Sequence, residues 1–150
     1  MNDFKLYNGD CLEEMDRIPD ASVDMILTDL PYGTTQAEWD KRIKFHPLFK
    51  CFSRIIKENG AVCLFGQEPF SSMLRMSGKK YIPYRYDWIW EKTLAQGGLS
   101  ASKRPLRAHE NICVFSKKQA IYNAQKTYNP IKKERARIIV TGKQIGRAHV

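Results

Sequence analysis

The stretch from Val23 to Gly33 sets the strongest limits on what this chain can fold into. Val23 to Leu27 is a short apolar run broken by one charge, the pattern of a buried strand. It ends at Thr28 and leads directly into Asp29-Leu30-Pro31-Tyr32-Gly33. Pro31 removes a backbone donor, fixes its own φ and keeps Leu30 out of the helical region. Gly33 then permits a sharp change of direction. A carboxylate, a rigid carbonyl and an aromatic ring are thereby gathered at the C-terminal end of a strand. In open α/β sheets that edge is where ligands bind.

The rest of the chain supplies the partners such a strand needs. Phe4 to Tyr7 reads as a short strand, and Asp10 with Glu13 as a capping box opening a helix over Cys11–Ile18. Phe45, Leu48, Phe49, Phe52, Ile55 and Ile56 share one helical face, with Asn59-Gly60 as the stop. Ala61 to Phe65 reads as a second buried strand, and Pro69 as the start of a helix that stops at Gly78. Tyr86, Trp88 and Trp90 alternate with other residues over 84–91, which predicts a strand. Residues 92–109 read as loop and Asn111 to Phe115 as a fourth strand. With no helix between them, 84–91 and 111–115 should pair antiparallel. The expected fold is α/β, a partial Rossmann-like sheet with an antiparallel strand pair at one side.

Charge divides the chain. Its net charge is +9, but residues 1–74 hold 8 Lys/Arg against 12 Asp/Glu. Residues 75–116 hold 8 against 3, and residues 117–150 hold 9 against 1. An acidic first half and a basic second half suit a polyanion docking on the latter; a solvated basic tail is the plainer alternative. Cys11, Cys51, Cys63 and Cys113 form no Cys-x-x-Cys, so buried thiols in a reducing, cytoplasmic setting are expected and a metal site is not. No apolar run approaches the roughly 20 residues of a membrane span.

At the strand end, Asp29 and the Leu30 carbonyl can both accept hydrogen bonds from one amino group. An exocyclic amino group on a nucleobase is a poor nucleophile, because its lone pair is delocalised into the ring. Two acceptors on it draw the nitrogen toward tetrahedral geometry and free that pair, the inverse in sign of an oxyanion hole. Tyr32 would stack on a base extruded from its duplex. The competing reading is an ordinary strand-ending turn, which favours the same Asp and Pro. Lys103, Arg104 and Arg107 offer phosphate contacts, or a merely solvated loop. Trp88 and Trp90 are expected in the core rather than against a base. His109 is expected to be a hydrogen-bonded structural residue.

Together, Asn8-Gly-Asp-Cys-Leu12, Val23 to Gly33, Gly60 to Gln67, Tyr86 to Lys92 and Arg104 to Lys117 resemble the site-specific DNA amino-methyltransferases. That family methylates adenine N6 or cytosine N4 with S-adenosylmethionine, and its phage and prophage members resemble this chain most. The resemblance spans residues 5 to about 130. It implies that Asp29, Leu30, Pro31 and Tyr32 form the catalytic loop, with Leu30 where the family usually has Pro; a backbone carbonyl tolerates that change. Asp at the first position favours adenine N6 over cytosine N4. Asp10 matches the family's acidic residue near the cofactor's adenosine, although a helix cap explains it equally. Double-stranded DNA is the implied partner.

Such an enzyme also needs a glycine-rich loop for the methyl donor. None of the 9 glycines gives Gly-x-Gly after an apolar strand. The expectation is therefore a chain truncated before its own cofactor loop. Residues 1–116 would be the catalytic-loop half of the domain and 117–144 a basic segment toward target recognition. Residues 145–150, Ile-Gly-Arg-Ala-His-Val, back-translate to a common sequencing-library adapter and are read as an artefact. A basic nucleic-acid-binding module without chemistry is the rival reading.

Overall fold

The computed structural model describes residues 4–125. The basic segment's residues from 126 onward, and the terminal stretch 145–150, lie outside the described residues. Strands β1 (Val23–Asp29), β2 (Ile56–Gly66), β3 (Tyr84–Gln96) and β4 (Arg107–Phe115) form one sheet in the order β1-β2-β4-β3. The pair β1–β2 is parallel, whereas β4 runs antiparallel to both of its neighbours. The expected antiparallel pair is thus present, and β4 is inserted between β2 and β3.

Helices α1 (Cys11–Glu14), α2 (Phe45–Ile55) and α3 (Phe70–Gly78) complete the architecture. Side chains from α2 and α3 (Leu48, Phe49, Phe52, Ile55, Phe70 and Leu74) form one cluster with Val62, Leu64, Cys113 and Phe115 of the sheet. Strand residues alternate between faces, so the register assigns the opposite face to Met25, Leu27, Cys63, Phe65, Ile112, Val114, Tyr86, Trp88 and Trp90. That face is the more open one. Met25 is 48% exposed, Leu27 56%, Trp88 39% and Trp90 55%. The two tryptophans are therefore not core residues, because the α2 and α3 side chains that would bury them pack against the other face.

Several boundaries differ from the sequence reading, each for a local reason. Phe4 to Tyr7 pairs with no strand among the described residues and stays exposed. The predicted helix over 11–18 is one α-turn followed by a 3-10 turn, Met15–Arg17. Helix α2 stops at Ile55, because Ile56 turns extended and enters the sheet fully buried. Between the pairs Val23↔Ile56 and Met25↔Ala61, β2 carries extra residues that form a bulge. A Cβ on Gly60 would come within 2.8 Å of the Asp24 carbonyl and of the Ile56 side chain, so this glycine serves the bulge and not a helix end. Residues 92–109 are only partly loop, since β3 runs on to Gln96 and β4 begins at Arg107.

Candidate active site

The C-terminal ends of β1 and β2 lie side by side, with Asp29 opposite Phe65. The antiparallel strand β4 starts at the same edge, where Asn111 faces Gly66 and Glu110 faces Trp90 of β3. One sheet edge thus collects Asp29, the end of β2, the start of β4 and the middle of β3. That arrangement follows from strand order and is invisible locally.

Within the Asp29–Tyr32 loop the residues divide their tasks. Asp29 is exposed at the strand end, while Leu30 is only 7% exposed and anchors the loop in the core. Tyr32 is half-buried, its ring 4.6 Å from that of Phe70 at the start of α3. Burial raises the affinity of the Tyr32 phenol for its proton, and the neighbouring Asp29 carboxylate and then Glu110 add to the effect. The phenol therefore stays neutral, a hydrogen-bond donor rather than a base. Gly33 has φ +67°, the left-handed conformation that releases the chain from the strand. Asp29 and Tyr32 are thus neighbours at the strand end, the carboxylate exposed beside the phenol and the ring supported by Phe70 from one side.

Beside it lies an open cleft of about 390 Å³ lined by Gly66, Gln67, Leu106, Arg107, His109 and Glu110, among others. The volume falls within the range of small-molecule sites, about 300–1,000 Å³. Its floor is a polar chain that the sequence reading did not single out. Arg107 donates to the Gln67 side-chain oxygen, and the Gln67 amide donates to Glu110 at 2.6 Å. Lys92 pairs with the same Glu110 oxygen at 2.6 Å, both side chains being mostly buried. Hydrogen bonding from Lys92 is the main reason the Glu110 carboxyl is held below its ordinary range. These residues fall in three of the segments that carry the family resemblance, yet Gln67 stands 25 positions from Lys92 and 43 from Glu110 along the chain. No periodicity could have joined them.

The other residues proposed from sequence fall into three groups. Arg107 reaches the cleft, whereas Lys103 and Arg104 stay on the exposed turn that precedes β4. His109 lines the cleft and is exposed, with no side-chain hydrogen bond among the described residues to support the structural role expected of it. Asp10 is exposed and caps its own helix by accepting from Leu12 N at 2.8 Å. No hydrogen bond or ion pair among the described residues links Asp10 to the loop. The Asp29 loop also depends on Asp40, unnoticed in the sequence, whose carboxylate takes the amides of residues 33–35. Among the described residues, no group of three or more His, Cys, Asp or Glu side chains offers a metal site. No helix among them is long and apolar enough to cross a membrane.

The chain is 28% identical over 173 aligned residues to the type II methyltransferase M.HinfI of Haemophilus influenzae, covering 91% of this chain and 46% of that protein. It is 27% identical over 96 residues to the type II methyltransferase M.BamHI of Bacillus amyloliquefaciens, covering 57% and 22% respectively. At most, then, it spans about half the length of these curated relatives. Its fold is similar to that of M1.HpyAVI in complex with S-adenosylmethionine, with a TM-score of 0.62, 18% identity and coverage of 82% of this chain and 62% of that one. The cytosine-N4-specific PvuII DNA methyltransferase gives a TM-score of 0.56 at 15% identity, with coverage of 76% and 49%. These solved structures bear out the expected Rossmann-like sheet. The family model of the N6/N4 DNA methylases matches residues 23–147, and the chain belongs to that family.

Proposed function

We propose that this chain is the catalytic-loop half of an S-adenosylmethionine-dependent DNA methyltransferase that acts on the N6 amino group of a flipped adenine. The observation that carries the reading is the Asp29–Tyr32 loop at the carboxyl edge of β1, with its carboxylate exposed and its ring supported from one side. In this reading the Asp29 carboxylate and the Leu30 carbonyl accept the two amino hydrogens of the base. The nitrogen lone pair is thereby withdrawn from the ring and directed outward. Tyr32 packs on the extruded base and offsets part of its lost stacking, worth about 1–3 kcal/mol per base. Lys103, Arg104 and Arg107 hold the duplex backbone without reading its sequence.

Bound S-adenosylmethionine supplies the methyl group. The described residues show no glycine cradle for it, and the Asp10 carboxylate is engaged by its helix cap. Asp29→Ala in the full-length enzyme should abolish methyl transfer while leaving DNA retention near wild type. Lost DNA binding with normal turnover per bound complex would refute the role given to Asp29. Mass analysis of the product nucleosides separates N6-methyladenine from N4-methylcytosine, the alternative within the family. The exposed basic turn at 103–107 also suits a binding module without chemistry, which predicts salt-sensitive DNA binding and no transfer even in the full-length protein.

A further inference from the structure

Beyond Gly33 the chain passes Thr34 and Thr35 and comes back to Asp40, only 7% exposed. Asp40 Oδ1 accepts from Gly33 N at 2.8 Å, and Oδ2 accepts from Thr34 N at 2.9 Å and Thr35 N at 2.7 Å. The Thr35 hydroxyl donates to Oδ2 as well, at 2.8 Å. Among the described residues no cation pairs with Asp40, so consecutive backbone dipoles and one hydroxyl hold its charge. Three successive amides turned toward a single anion fix the backbone that bears them.

The other side of the loop is held differently. Leu30 is anchored in the core, and the Tyr32 ring rests on Phe70. Residues 30–35 are therefore fixed at three places, with the Asp29 carboxylate exposed beside the Tyr32 phenol. We propose that Asp40 is a positioning residue: its carboxylate locks residues 33–35 and so holds the Leu30 carbonyl and the Tyr32 ring in register with Asp29. This inference rests on the reading of Asp29–Tyr32 as the base-accepting loop. Asp40 itself touches no base. An amide in its place cannot do the same task. Whichever way the side-chain amide of the Asp40→Asn variant is turned, its NH₂ faces at least one backbone N–H, and that donor is left unpaired.

The test uses the whole 150-residue chain labelled with ¹⁵N, in the Asp40→Asn and Thr35→Ala variants. Amide hydrogen exchange at Gly33, Thr34 and Thr35 should accelerate about tenfold in Asp40→Asn, with Cys63 and Leu64 in β2 unchanged, as expected when a charged hydrogen bond is lost. A single-stranded oligodeoxynucleotide carrying 2-aminopurine is the base probe. The amplitude of its fluorescence response at saturating protein should fall about tenfold in Asp40→Asn, while anisotropy of a dye on the same strand reports an affinity changed less than about twofold. Unchanged exchange at residues 33–35, or an unchanged fluorescence response despite faster exchange, overturns the proposal. Should Asp40→Asn unfold globally, Thr35→Ala decides: faster exchange confined to residues 33–35 supports the clamp, and none overturns it. A wild-type fluorescence response that survives Tyr32→Ala would instead sink the base-accepting reading, with the exchange data still deciding whether Asp40 holds the loop.

Discussion

Replacing Lys92 by Met would remove one charge from a mostly buried pair while keeping most of the side-chain volume. Lys92 and Glu110 are 13% and 17% exposed and 2.6 Å apart. Removing one partner of a fully buried pair costs about 3–5 kcal/mol, because the remaining charge is left desolvated. Here Gln67 still donates to Glu110 and the cleft admits water on one side, so a loss of ~2–3 kcal/mol is expected. For a chain of this size that lowers the unfolding midpoint by about 5–10 °C, measured by circular dichroism at pH 7. The pH dependence has a definite sign. Glu110 is held below its ordinary value of 4.5 in the fold. Its contribution is therefore complete above that value and fades as pH falls through the lower folded one. The gap between variant and wild type should narrow on acidification. Adding Glu110→Gln to the variant should restore part of the loss, since no charge is then stranded. A single variant within about 0.5 kcal/mol of wild type, or a gap that widens in acid, would refute the reasoning.

Two further outcomes are expected from the same geometry. Hydrogen bonds from Gly33 and Thr35 lead the causes that lower the Asp40 carboxyl from 3.8 to about 2. The clamp should therefore be intact above the ordinary carboxylate range and be lost as pH falls toward about 2, with amide resonances of residues 33–35 following one acid transition that Asp40→Asn abolishes. Gly78→Ala would place a Cβ 2.6 Å from the Phe115 ring and 3.1 Å from that of Phe49. Both rings are fully buried, so neither can yield easily, and overpacking should cost about 1–3 kcal/mol in urea unfolding. No measurable loss would mean that α3 shifts freely on the sheet.

The Asp29–Tyr32 loop was legible because all its constraints are local: an apolar run, a proline, an aromatic and a glycine in succession. Helix α2 was legible for a related reason, its buried Leu48, Phe49, Phe52 and Ile55 recurring on one face. Ile56 continued that period and yet left the helix. Continuing the helical row and pairing with Val23 satisfy the same apolar side chain, and the sheet prevailed. Trp88 and Trp90 show the limit of alternation, which fixes which residues share a face but not which face is covered.

By itself, then, the sequence determined the order of strands and helices, the turn at Asp29–Gly33, and the basic character of the chain's second half. Tertiary structure alone decided that β4 enters between β2 and β3, carrying Glu110 and Arg107 to the edge already occupied by Asp29. It alone joined Gln67, Lys92 and Glu110 into one chain of charge and hydrogen bonds. It also aimed Asp40 at the amides of residues 33–35. The physical reason is one of range. Backbone stiffness and side-chain periodicity act over a few residues and leave a mark in sequence. The meeting of polar groups tens of residues apart depends on strand order and register, which only the folded sheet specifies.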